Sequence, residues 1–341
     1  MQPNLKRLYE LKSAAHAAQQ SEPDRAAALF RQCIDGFRVA GDERAELEAT
    51  HWLLQTLNCF AGRYGEALDV GVRAVVKAKG PQYANFTTRI CLHEDLISAY
   101  IGVDPEGYET EIRDLLDYMR AEIAPNAQCA FCLRYRSFDL EWWLENFEAA
   151  SEIAHDALAK AQSGWYGQWH RVGYLGELCD LACASGGMGA DQMADWARER
   201  EELARRASRT SVYASCALHQ ACGLRQGGDE TGAKKQLKRA RSLFKTHGPT
   251  GFEGYFIAAR YYAQIGDEWD AVAALCDAEL DILRDKSAPA RTARVHRWKC
   301  QSLARVGKLD AQSLQSAREI AGKLRAPRAE LKRLDLLSES S

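Results

Sequence analysis

Residues 62–74 read GRYGEALDVGVRA, and this stretch decides the fold. Gly62 is a residue that ends helices, and Tyr64 follows it as an aromatic side chain that can fill a corner. Ala67 and Ala74 then recur seven residues apart, on one face of a helix. Small residues on that face let two helix backbones approach closely, where a larger side chain would separate them. The stretch therefore predicts the corner of a hairpin of two packed helices.

The same pattern recurs along the chain. Helix-breaking pairs are spaced about 40 residues apart, within the range of helical-hairpin repeats: Glu22-Pro23, Gly62-Arg63, Asp104-Pro105, Glu145-Asn146, Gly186-Gly187, Gly227-Gly228, Gly266-Asp267 and Gly307-Lys308. Small residues follow several of them at helical spacing: Ala150, Ala154 and Ala157; Ala233 and Ala240; Ala271 and Ala278. Between breakers lie two helix-length segments with apolar residues three and four apart. We therefore expect about eight helical hairpins and a last helix.

The pattern resembles the tetratricopeptide repeat, which has a Gly and an aromatic at the corner and small residues at these spacings. The resemblance covers roughly residues 5–325 and is clearest at 62–74, 146–157 and 266–278. The period here is near 41 rather than 34, as in the longer repeats of kinesin light chains and bacterial sensor proteins. The first-helix signature is mostly lost, with Leu175-Gly176 its best remnant. HEAT or armadillo repeats remain an alternative at this period.

The resemblance implies an all-α fold, a right-handed superhelical solenoid of about eight hairpins in a single domain over residues 1–341. A composition with only 8 Pro agrees with helix nearly everywhere. The expected repeats are 4–41, 43–80, 84–122, 127–162, 168–207, 210–247, 251–286 and 288–325, with a capping helix at 327–337.

The composition and the N-terminal sequence indicate the cellular compartment in which the protein is expected. The chain has 11 Cys, but its first ten residues read as an amphipathic helix rather than a secretory signal. No apolar run reaches the length that spans a bilayer. We therefore expect a cytoplasmic protein without membrane contact, with reduced and buried thiols.

In this repeat family the first helix of each pair lines a concave groove. Its groove positions fall here on Trp52, His93, Tyr100, Tyr135, Asp139, Trp142, Trp143, Trp169, His170, Glu177, Arg225 and Arg260. Aromatic residues are unusually dense between residues 135 and 174, and aromatics and Arg dominate binding hot spots. For any single one of these aromatics a place in the core is the favoured interpretation, and an error of one or two residues in register would exchange the two faces.

The sequence motifs that could indicate a metal site or a catalytic site are weaker. Cys129 and Cys132 form a CxxC, and Cys216, His219 and Cys222 form a run of soft ligands. Both lie inside predicted helices without a second pair at zinc-finger spacing, so buried thiols are favoured over zinc. The chain has no nucleophile elbow, phosphate loop, HExxH or dinucleotide fingerprint. We expect no cofactor, no metal and no enzymatic activity.

Charge is divided unevenly along the chain. Residues 1–196 hold 18 basic and 29 acidic residues, a net of −11, and residues 197–341 hold 27 and 18, a net of +9. Arg291, Arg294 and Arg297 are spaced by three and predict a basic stripe. A second cluster is Lys234, Lys235, Lys238, Arg239 and Arg241. Solvated helix faces are the favoured interpretation, followed by an acidic protein partner or the acidic half of another copy. Nucleic acid is disfavoured by the pI of about 6.5.

The favoured function is a non-catalytic scaffold or adaptor that binds a peptide or helix of a partner protein in its groove. The alternative is a sensor module for a small molecule or peptide that regulates a separate effector, since no output domain is evident. A thiol enzyme using Cys129 or Cys132 is the least favoured. Self-association is compatible with the charge division.

Overall fold

A computed structural model describes residues 5–124, 129–162, 168–187, 189, 191–207, 210–247 and 252–339. The predicted all-helical class is confirmed: the described residues form seventeen α-helices and no strand. The helices are α1 Leu5–Ala18, α2 Pro23–Ala40, α3 Glu43–Gln55, α4 Tyr64–Ala78, α5 Thr88–Val103, α6 Glu109–Glu122, α7 Cys129–Trp143, α8 Phe147–Gln162, α9 Gln168–Ala184, α10 Met193–Arg206, α11 Tyr213–Gln226, α12 Glu230–His247, α13 Phe252–Ile265, α14 Trp269–Leu283, α15 Pro289–Arg305, α16 Ala311–Ala321 and α17 Arg328–Glu339. A π-helical segment, Thr56–Ala61, continues α3.

Local sequence explains where the helices begin and end. Gly41 and Gly62 follow helical segments with φ of 73° and 65°, a left-handed conformation that glycine adopts without steric cost. The Asp42 carboxylate then accepts a hydrogen bond of 3.0 Å from the Ala45 N–H, which caps the start of α3. Asp310 does the same for α16. These corners are therefore set by a Gly that ends one helix or an Asp that starts the next.

The second helix of a hairpin packs through its small residues. Ala67 on α4 and Ala150, Ala154 and Ala157 on α8 are completely buried. Close contact at these positions is what the i, i+4, i+7 spacing requires, because each larger side chain would hold the two backbones apart.

The chain folds into two compact units, each assembled from segments that are distant in sequence. Unit 1 comprises residues 1–124, 282–292 and 323–326, and unit 2 comprises residues 125–281, 293–322 and 327–341.

In unit 1, two late segments of the chain pack on the early helices. The Ser287 carbonyl accepts a 3.1 Å hydrogen bond from the Tyr64 N–H, and the Ala326 N–H donates to the Asp104 carboxylate at 2.7 Å. Arg325 pairs with Glu111. Stacked repeats that contact only their neighbours would not make bonds across more than 200 residues. These contacts are therefore additional to hairpin stacking.

In unit 2, the turn after α7 contacts α15 and α17. Glu145, in the left-handed conformation with φ 62°, forms ion pairs with Arg294, Arg297 and Arg333. The expectation of a solvated basic stripe is corrected here, because Arg294 and Arg297 are buried. Arg291, in unit 1, is buried as well. Burial of a guanidinium requires a partner, and for the two arginines of unit 2 that partner is Glu145.

Among the described residues, no helix is both long and apolar enough to cross a membrane.

Candidate functional site

The first helices of unit 2 bring polar side chains together. On α7, Tyr135 and Asp139 are four residues apart and share a face; on α9, Glu177 and Asp180 are three apart and do the same. The Tyr135 hydroxyl donates a hydrogen bond of 2.6 Å to Oε1 of Glu177. We call Asp139, Glu177 and Asp180 the inner acidic cluster.

The surroundings of Glu177 in the inner acidic cluster raise the pKa of its carboxyl group. Burial raises the pKa of Glu177 to about 8, and the neighbouring charges of Asp139 and Asp180 add to the shift because like charges disfavour a further carboxylate. Burial also raises the pKa of Tyr135 well above its usual value. Glu177 is therefore largely protonated at neutral pH.

Two arginines lie beside the inner acidic cluster, but they do not fully compensate its negative charge. Arg136 forms an ion pair with Asp139 on α7. Arg200 on α10 donates to the Val172 carbonyl at 3.1 Å and to the Ser215 hydroxyl at 3.3 Å. Its charge lowers the pKa of Glu177 by less than burial and the two aspartates raise it.

Helices α11 and α13 close one side of the cluster. The buried His219 on α11 hydrogen-bonds Asp180 through Nε2 at 2.9 Å. Gly254 on α13 approaches so closely that a Cβ there would lie 3.0 Å from the Asp180 carboxylate. The side chains of Asp139 and Asp180 nevertheless keep 17% and 16% of their surface exposed. The carboxylates can therefore be reached from solvent while lying mostly within the protein.

The predicted groove residues of unit 1 lie in packing contacts. Trp52 is half-buried and meets the His16 ring edge-on at 4.5 Å. His93 is fully buried, and its Nδ1–H donates to the Arg89 carbonyl at 2.6 Å. Burial lowers the pKa of His93, so the ring is neutral at physiological pH. Tyr100 is half-buried against the ring of Tyr108.

The aromatic residues predicted for unit 2 differ in accessibility. Trp142 is buried and packs near Phe138 and Phe147. Trp143 is half-buried, with the Arg294 guanidinium 4.1 Å from its ring centroid. His170 contacts the ring of Phe131. Trp169 lies in α9, but its side chain is outside the described residues.

The two arginines predicted for the groove are held in ion pairs. Arg225 is mostly buried and pairs with Glu230 and Glu268. Arg260 is buried in an ion pair with Glu279. Of the predicted groove residues, the structure brings Tyr135, Asp139 and Glu177 together in one accessible cluster.

Sequence reasoning missed Asp180, Arg200 and His219 as members of this cluster. Asp180 could have been found from its spacing of three from Glu177 on a helix. His219 was considered only as a metal ligand. No sequence signal places Arg200, on the second helix of its hairpin, beside the first helices.

The two cysteine motifs differ in burial: Cys216 and Cys222 are buried, as expected, whereas Cys129 and Cys132 are partly exposed, which corrects the expectation of buried thiols for the CxxC. Burial raises the pKa of Cys216 to about 11, and it raises the pKa values of Cys179 and Cys183 well above the usual thiol value. Cys222 donates to the Ala258 carbonyl. Within the described ranges, no three His, Cys, Asp or Glu side chains are arranged to hold a metal ion. Because the thiolate is the reactive form, the thiols with raised pKa are poor nucleophiles.

No protein-family model matches the chain, and no curated protein matches it.

Proposed function

We propose that the protein is a non-catalytic interaction module that binds a segment of a partner protein on the first helices of unit 2. The observation that carries the proposal is the inner acidic cluster, in which carboxylates of α7 and α9 converge while keeping contact with solvent. The negative charges of Asp139 and Asp180 oppose the ionisation of Glu177, and this provides a place for a positive charge.

The charge of the cluster indicates the chemistry of the segment. With Glu177 protonated, Asp139 and Asp180 are balanced by Arg136 and Arg200. A lysine or arginine side chain placed against Glu177 would restore the ionised carboxylate and gain a charge-assisted hydrogen bond. The proposed ligand is therefore a basic peptide segment, with Tyr135 as an aromatic contact for its apolar stem.

The experiment is a selection of random peptides displayed on phage against the immobilised protein. We expect the selected peptides to be enriched in Lys and Arg. Asp139→Asn combined with Glu177→Gln should weaken their binding at least tenfold, because both carboxylates are lost while side-chain volume is kept.

A matched control uses two exposed carboxylates on α6. Asp114→Asn combined with Asp117→Asn likewise replaces two carboxyl groups by amides, in unit 1, and should leave peptide binding within twofold. Selection of acidic or uncharged peptides, or equal binding to both double variants, would contradict the proposal. Circular dichroism should first show unchanged helicity in each variant.

A further inference from the structure

Side chains of α10, α11 and α12 line a surface pocket of about 440 Å³ in unit 2. A volume of this size is in the range of small-ligand sites. The lining residues are all charged or polar: Arg198, Glu201, Glu202 and Arg205 on α10, Gln220 on α11 and Arg239 on α12. We call it the arginine pocket, because half of its lining residues are arginines.

A buried acid, Glu201, holds two of these arginines in place. Only 5% of its surface is exposed. Its carboxylate accepts hydrogen bonds from Arg205 at 3.2 Å, from Gln220 at 3.0 Å and from both terminal nitrogens of Arg239. These hydrogen bonds fill the acceptor sites of a carboxylate, which number about four. The guanidinium groups of Arg205 and Arg239 are therefore oriented by one fully bonded acid.

Glu201 remains ionised in these surroundings. Burial alone would raise its pKa, but the hydrogen bonds and the positive charge of Arg239 outweigh burial and hold that pKa below its usual value. Its single negative charge is shared by two guanidinium groups, those of Arg205 and Arg239. The three side chains together therefore carry one positive charge in excess.

The two arginines of α10 keep most of their hydrogen-bond donors for a ligand. A guanidinium has five N–H groups. Arg205 donates to Glu201 and Arg198 donates to Asp195 at 2.8 Å, and neither has another partner among the described residues. Both side chains are 68% exposed. The rim of the pocket therefore presents N–H donors to solvent above the buried acid.

The remaining charges around the pocket are positive in sum. The other acids of α10 form ion pairs: Asp195 with Arg198, Glu199 with Arg171 and Glu202 with Arg206. Helix α10 carries four acidic and four basic residues, whereas α12 carries one acidic and six basic. Lys235 lies one helical turn before Arg239, on the same side of α12, and forms no salt bridge with a described residue. An anion in the pocket would therefore meet excess positive charge from α12.

We propose that the arginine pocket binds a phosphate monoester, with Arg198, Arg205 and Arg239 as its hydrogen-bond donors. Planar guanidinium groups bind phosphate oxygens through paired hydrogen bonds. A phosphate monoester has three terminal oxygens and a charge of about −1.5 to −2 at neutral pH, so it can accept from three arginines at once. A single carboxylate has two oxygens and half the charge, so it fits the pocket less well. The phosphate group can belong to a modified side chain of a protein segment or to a free small molecule.

The test is isothermal titration calorimetry of the full chain in a phosphate-free buffer with about 150 mM salt, which screens charges more than about 8 Å apart. The probes are glycerol 2-phosphate, acetate, and a short peptide without Lys or Arg, with and without one phosphoserine. We expect both phosphate compounds to bind with dissociation constants below about 1 mM. Acetate and the unmodified peptide should bind at least tenfold more weakly. A phosphopeptide that binds tenfold more tightly than glycerol phosphate assigns the phosphate to a protein segment, and equal binding assigns it to a small molecule.

A double variant tests the donors. Arg198→Gln combined with Arg205→Gln removes two mostly exposed guanidinium groups and should weaken phosphate binding at least tenfold. The matched control is Arg241→Gln combined with Lys245→Gln, which removes two exposed cations from the opposite side of α12. This control should leave phosphate binding within twofold. Circular dichroism should first show unchanged helicity in both double variants.

Three results would overturn the proposal. The first is no binding of either phosphate compound at about 10 mM, a concentration about tenfold above the expected limit. The second is equal affinity for acetate, and the third is an equal loss of binding in the two double variants, which would indicate a general attraction to basic charge. Asp139, Glu177 and Asp180 are unchanged in every variant, so peptide selection tests the proposed function separately.

Discussion

Replacement of Glu177 by glutamine is expected to remove a large part of the pH dependence of stability. The pKa of this carboxyl is about 8 in the folded protein and 4.5 in its ordinary environment. The folded state thus holds a proton that the unfolded chain releases above pH 4.5. Stability is therefore highest at low pH with respect to this group, and it falls as pH rises from about 4.5 to about 8.

The size of the effect follows from the shift. Each pKa unit corresponds to about 1.36 kcal/mol, so the shift gives an upper limit of about 4 to 5 kcal/mol. Between pH 5 and pH 8 the expected loss is about 3 to 4 kcal/mol. Glutamine has no proton to lose and can still accept the hydrogen bond of Tyr135.

The assay is urea unfolding of wild type and Glu177→Gln at pH 5 and pH 8, followed by circular dichroism. The variant should gain stability relative to wild type as pH rises, by the amount above. Glu152→Gln, an exposed carboxyl on α8, is the control and should change stability by less than about 0.5 kcal/mol at either pH. An equal pH dependence of stability in wild type and Glu177→Gln would refute the assignment of a raised pKa to the Glu177 carboxyl.

Two further substitutions test the packing of unit 2. Gly223→Ala would place a Cβ 2.8 Å from the backbone nitrogen of Ala194, so it should destabilise the protein by about 1–3 kcal/mol in urea unfolding. Its control, Gly173→Ala, meets only ordinary contacts and should stabilise the protein by about 0.5–1 kcal/mol. The reverse order of stability would contradict close packing of α10 on α11. Arg260→Met should cost about 3–5 kcal/mol because it removes one partner of the buried Arg260–Glu279 ion pair, and adding Glu279→Leu should recover most of the loss. Additive losses in that double variant would show that the two side chains are not coupled.

The sequence predicted local structure well because local structure depends on neighbouring residues. Gly62 ends a helical segment and Ala67 is buried, as its spacing indicated. The burial of Arg294 and Arg297 depends on their ion pairs with Glu145, about 150 residues earlier, and no local sequence pattern contains that pairing. The spacing of those arginines predicted a solvent-exposed basic stripe, but the structure buries them.

The site was predictable in part for the same reason. Tyr135, Asp139 and Glu177 were reached through the groove positions of the repeat, which are periodic. Asp180 follows from helical spacing, but the convergence of Arg200 and His219 on the cluster depends on how three hairpins pack. The solenoid itself remains a prediction from the repeat pattern.

The most direct test of the central claim is calorimetric titration of a selected basic peptide at pH 7.4, in buffers with different ionisation enthalpies. Glu177 is about 80% protonated at this pH if its pKa is about 8. Insertion of a cationic side chain should therefore release up to about 0.8 proton per peptide, and Glu177→Gln should abolish the release while weakening binding. Binding without proton release, or equal release by Glu177→Gln, would contradict the claim that the inner acidic cluster receives the positive charge.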